Sequence, residues 1–193
     1  LKAMRKGFTT ADAGQVIASG PPEAIPDMEY LTGMYEAGAA PYFDLLGLNA
    51  PGYKAPPELS PEDAANPELE YGKQRFFCFR HVEDMREIMV RYGDADKQVA
   101  VLEMGWTTDP RPDSAFHWHA VAEGQQADYL VRALRYASEH WSPRIGLMIV
   151  GSIADPRWTK DDESYWWAIT EPDWPETHLR PAYEALCNME SKG

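Results

Sequence analysis

Glu103 is the residue whose type and position most clearly invite chemistry. It lies in "VAVLEMGWTT", where an apolar run from Val99 to Leu102 leads straight into a carboxylate, with Gly105 and Trp106 close behind. An apolar strand has little structural use for a charge at its tip. A carboxylate there can act as nucleophile or base, and an adjacent indole can stack on a sugar ring. A capping or salt-bridging glutamate is the competing reading of the same position.

The other chemistry-bearing residues are less organised. His117 and His119 in "FHWHA" could be two metal ligands, but no third and fourth stand at a recognisable spacing. A loop histidine pair with ordinary hydrogen bonds is expected, and no metal or other cofactor. Asp155, Asp161, Asp162 and Glu163 do not follow the order of a calcium loop and read as a solvated acidic segment. Cys78 sits in the aromatic run "FFCF" and reads as buried, and with Cys187 it lacks metal-ligand spacing. No G-x-S-x-G elbow and no phosphate-binding glycine loop is present.

Short apolar runs alternate with helical patterns and must position these groups. Gln15 to Ser19 reads as a strand, followed by a helix over Met28 to Ala37 that puts Leu31, Met34 and Tyr35 on one face before Gly38. Phe43 to Leu48 reads as the next strand, then a Pro-rich loop, then a helix from His81 to Tyr92 with Val82, Met85, Met89 and Tyr92 on one stripe. Val99 to Leu102 and Ile145 to Val150 read as the third and fourth strands. Each is followed by a helix: Glu123 to His140, and a final one opened by Pro181 that buries Tyr183, Leu186 and Cys187. The strands are continuously apolar rather than alternating, which implies a sheet covered on both faces, and in a βα chain that means a parallel sheet. Helix-to-strand connections are short, whereas the strand-to-helix connections after the second, third and fourth strands run to roughly fifteen residues or more, the asymmetry of a (β/α)8 barrel with its chemistry at the C-terminal face. The expected fold class is therefore α/β, as four consecutive βα units in one domain over residues 1–193.

The chain carries 18 basic and 31 acidic residues, a net charge of -13, with no Lys/Arg cluster, so nucleic acid and anionic membrane surfaces are unfavourable partners. At 44% hydrophobic and 12% aromatic residues it can build a core. No segment reaches the roughly 20 apolar residues that span a bilayer. The first residue is Leu1, and Leu1 to Lys6 read like the end of a helix, so a fragment of a larger domain is expected.

The runs "FRHVEDMREIMVRYGDADKQVAVLEMGWTTD", "YLTGMYEAGAAPYFDLLGLNAPGY" and "EGQQADYLVRALRYASEHWSPRIGLMIV", with "YWWAIT" and "RPAYEAL", resemble the second half of the retaining glycoside hydrolases built on (β/α)8 barrels, especially families 39 and 5. The resemblance implies strands five to eight of the barrel and makes Glu103, at the end of strand seven, the nucleophile. It places the acid/base glutamate on strand four, upstream of Leu1, so this chain alone is not expected to be active. It also implies cleavage of a β-glycosidic bond with retention, an oligosaccharide, polysaccharide or glycoside as ligand, and completion of the barrel by an upstream half in cis or by a partner chain. The end of strand six departs from the family at Asn49, Ala50 and Pro51, where Asn49 can take over a hydrogen-bonding role. The family's tryptophan at the end of strand eight is absent, and Trp158, Trp166 or Trp167 can supply a platform from the next loop. Trp106, Asn49, Tyr53, Trp158, Trp166 and Trp167 are the candidate substrate-binding residues, and Asp109 and Asp155 could add hydrogen bonds. The alternatives are a non-catalytic carbohydrate-binding or scaffolding barrel, and a subunit that pairs to complete one. A secreted or cell-surface location suits an acidic, Trp-rich saccharide binder.

Overall fold

The computed structural model describes residues 10–12, 27–173 and 178–189. Four parallel strands form one sheet in sequential order: β1 (Thr10–Asp12), β2 (Leu45–Pro51), β3 (Gln98–Gly105) and β4 (Ile145–Val150). The helices are α1 (Asp27–Glu36), α2 (Pro61–Ala65), α3 (His81–Arg91), α4 (Glu123–His140), α5 (Glu163–Trp167) and α6 (Pro181–Cys187). The strand expected at Gln15 to Ser19 and the helix end expected at Leu1 to Lys6 lie outside the described residues. The strand that pairs with β2 is the earlier, three-residue β1.

One face of the sheet is covered. Leu46, Leu48 and Ala50 of β2 and Val99, Val101 and Met104 of β3 bury against Leu31 and Tyr35 of α1, Val82, Met85, Ile88 and Met89 of α3, and Leu130, Ala133 and Ala137 of α4. The spacing of these helical residues at three and four positions makes each helix a one-sided apolar stripe, and burying those stripes on the sheet removes them from water together. The opposite face of β4 is open: Leu147 and Ile149 are about half exposed, while Ile145, Met148 and Val150 pack toward the core. The expectation of a sheet covered on both faces is therefore met on one side only among the described residues.

Three details differ from the sequence expectation. β3, expected over Val99 to Leu102, runs from Gln98 through Gly105, so Glu103 lies within the strand and not at its tip. β2 starts two residues late and runs on through Pro51, because Asn49, Ala50 and Pro51 continue to pair with β3 as far as Gly105. Cys187 is exposed rather than buried, since α6 turns its Ala182 side inward instead. Inside the Pro-rich loop the Ser60 hydroxyl accepts from the Asp63 amide and Pro61 takes the first helical position, which together start the short α2.

Candidate functional site

The site is built where β2 and β3 end. Regular alternation along β3 would send Glu103 after Val99 and Val101 onto the helix-covered face. The pairing instead runs Leu48 to Val101 and then Asn49 to Glu103, so Leu102 is an extra residue and the register slips by one. Such a bulge reverses which face the following side chains take. Glu103 thereby emerges on the open face and is exposed, while Met104 returns to the core. The Asn49 Nδ2 amide donates to Glu103 Oε2 at 3.1 Å, which fixes the direction of the side chain.

Glu103 and Asn49 line a cleft of about 410 Å3 whose other walls come from the strand ends and the loops after β2, β3 and β4. The helix α5 brings Glu163 and Trp167 to it, and the Trp167 indole Nε1 donates to Glu163 Oε1 at 3.1 Å. Partial desolvation pushes the Glu163 carboxyl above its ordinary range against the opposing effect of that indole donor. The position of α5 follows from backbone bonds to the strand ends: Thr108 N donates to the Trp166 carbonyl at 3.0 Å and Ile169 N to that of Ser152 at 3.0 Å. Buried Arg180 donates to the carbonyls of Tyr165 and Ala168 and to Glu171, which anchors the same turn to the start of α6.

Part of the cleft wall is aromatic. Tyr53 sits at φ 52°, a left-handed conformation that a bulky side chain rarely adopts. It is held there between Phe77, Trp118 and His119, with ring centroids 4.6, 6.0 and 5.2 Å away. His119 also lines the cleft, 6.0 Å from the Trp167 ring. Burial pushes the His119 imidazole down to about 4, so it is neutral near pH 7. Its buried Nδ1 has no hydrogen-bond partner among the described residues.

Of the residues singled out in the sequence, Glu103, Asn49, Tyr53 and Trp167 come together at the cleft. Trp106 does not. It is fully buried, donates from Nε1 to the Ala55 carbonyl at 2.8 Å and packs against Phe79 and Tyr129, so its ring belongs to the core and has no face to offer a ligand. Trp166 and Trp158 also lie outside the cleft lining: the Trp166 indole is spent on the Lys160 carbonyl and its ring packs edge-on to Tyr165. Asp109 is tied by Arg111, which holds its carboxyl well below the usual range, and Asp155 is paired with Arg157. Among the described residues no group of three or more His, Cys, Asp and Glu side chains could hold a metal ion, and His117 Nδ1 pairs with the Asp109 carbonyl. Glu163 and His119 were not read from the sequence as parts of this site. The only local signal was that each follows a strand in an aromatic-rich loop.

No family model matches the sequence, and no curated protein matches it. Solved structures do. A family 39 glycoside hydrolase from the gut symbiont Bacteroides cellulosilyticus superposes with a TM-score of 0.50 at 15% identity, over 80% of this chain and 28% of that one. An active-site mutant of a Rhizomucor miehei beta-1,3-glucanosyltransferase in complex with laminaritriose superposes with a TM-score of 0.42 at 14% identity, over 80% of this chain and 57% of that one. This chain thus spans less than a third of the family 39 structure. The parallel sheet with helices on one side, seen beside the first of these, is a glycoside-hydrolase-like fold.

Proposed function

We propose that this chain is the second half of a (β/α)8 glycoside hydrolase, strands five to eight, and that Glu103 is the nucleophile of a retaining reaction on a β-glycosidic bond. The observation that carries this reading is the Asn49–Glu103 pair: a carboxylate turned by a strand bulge into a cleft that Trp167 also lines, and oriented by an amide from the neighbouring strand. In that chemistry a Glu103 oxygen bonds to the anomeric carbon as the leaving oxygen departs with a proton. Water then breaks the glycosyl ester with the configuration restored. The proton comes from a second carboxylic acid on the barrel half that precedes strand five, in cis or from a partner chain, so the chain by itself holds the nucleophile without its acid.

The exposure of Leu147 and Ile149 on β4 supports the half-barrel part of this reading, since these are apolar side chains that a closed barrel would cover. The test is Glu103→Gln in the full natural polypeptide, assayed on aryl β-glycosides with intrinsic tryptophan fluorescence as the binding readout. Loss of turnover by roughly 1,000-fold or more with saccharide binding retained is expected for a nucleophile. Unchanged turnover overturns the assignment. A wild-type protein that binds saccharides and turns none over would instead make the site a carbohydrate-binding barrel.

A further inference from the structure

Resting on the glycoside reading above, we propose that the part of the cleft this chain lines favours an uncharged sugar over uronic acids and sulfated or phosphorylated sugars, because Glu103 and Glu163 face it and no Lys or Arg is among its described lining residues. The lining supplies both carboxylates together with Asn49, Ser152, Ser164 and the imidazole of His119. A carboxylate accepts hydrogen bonds from hydroxyl groups and offers nothing to an anionic substituent. The Asn49 amide is already engaged with Glu103.

His119 is the one lining side chain that could have answered an anion with positive charge. It is buried and kept neutral, and its unpartnered Nδ1 suits a hydroxyl, which can donate or accept as the tautomer requires. The neighbouring cations are placed elsewhere. Arg111 is bonded to both Asp109 oxygens and the Asp161 carbonyl, and Lys54 lines a separate depression with Asp109 and Trp118. The half-buried Trp167 adds an apolar ring that stacks on the C–H face of a pyranose without regard to charge. An anionic group brought into this partly enclosed space meets like charge and loses hydration without compensation. The cleft volume of about 410 Å3 lies within the usual size of small-molecule sites.

The experiment uses matched pairs with the full natural polypeptide at pH 7. Methyl β-D-glucoside and β-D-galactoside are compared with methyl β-D-glucuronide and β-D-galacturonide, by tryptophan fluorescence and calorimetry. At least one neutral member is expected to bind roughly 100-fold more tightly than its uronide. Glu163→Gln is expected to narrow that gap about tenfold by removing one of the two like charges, with the melting temperature showing that the exposed position tolerates it. A uronide bound as tightly as its neutral partner overturns the selectivity and leaves the glycoside reading standing. Binding of no member of either charge overturns both.

Discussion

Between Val101 and Met104 the third strand carries one residue more than its neighbour, and the direction of the Glu103 carboxylate depends on that residue. The Asn49 amide then holds that direction through its hydrogen bond to Oε2. Asn49→Ala should leave the melting temperature unchanged, because the pair is exposed, while lowering kcat/KM of the full polypeptide about tenfold, the worth of one hydrogen bond to a charged group. Steady-state kinetics on an aryl glycoside checks this. Trp106 makes the opposite point. Its ring lies where a Cβ on Gly52 would be, 1.8 Å from the nearest indole carbon. Gly52→Ala should therefore destabilise by about 2 kcal/mol or more, a fall in melting temperature of roughly 4 °C or more for a chain of this size, measured by thermal unfolding.

Helices α1 and α3 are joined by an ionic contact inside an otherwise apolar interface. The His81 imidazole is buried with Nε2 2.7 Å from Asp27 Oδ2 and Nδ1 3.0 Å from Asp84 Oδ2, and Arg75 holds the other oxygen of Asp84 at 2.7 Å. Burial alone would lower the His81 pKa, but the two carboxylates outweigh it and raise it to about 9. With a folded value above the unfolded value of about 6.5, His81 contributes stability fully below pH 6.5, and that contribution is lost as pH rises through 9. Urea unfolding should show a decline on the order of 2 kcal/mol across that window. The decline should be absent in His81→Gln, whose stability is lower throughout because the substitution leaves buried carboxylates less well paired. Asp84 behaves in the reverse sense. Despite burial, His81 and Arg75 hold its carboxyl below its ordinary value, so its contribution is lost at acid pH.

At the scale of the whole molecule the sheet is two-faced in an unusual way for parallel strands, which are normally covered on both sides. Among the described residues helices cover one face, and the other carries Leu147 and Ile149, of which Ile149 lines the cleft. The half-barrel reading places the rest of a barrel interior against those side chains. Leu147→Asp in the full natural polypeptide should then bury an unpaired carboxylate and cost about 3 kcal/mol or more, seen as a marked fall in melting temperature. A melting temperature equal to that of the wild type would show that nothing covers this face. The net charge of -13 belongs to the same scale: it disfavours anionic polymers at most approaches, and the cleft lining carries Glu103 and Glu163 of the same sign.

What the amino-acid order determined on its own was local. Apolar residues three and four apart marked α3 and α4, a continuous apolar run marked β4, and a charge at the end of such a run marked Glu103, because each of these signals is complete within one turn or one strand. The direction of Glu103 was not legible, since the bulge exists only relative to β2, whose Asn49 is 54 residues away. Trp106 carried the same composition signal as Trp167, yet one ring fills the core against Gly52 and the other lines the cleft. A tryptophan's type says how much surface it must bury and nothing about which neighbour buries it. Glu163 and His119 passed as an acidic loop residue and half of a histidine pair for the same reason. Their proximity to Glu103 comes from the register of the strands and the anchoring of α5 by Thr108, Ile169 and Arg180, contacts between distant segments that only the folded chain brings together.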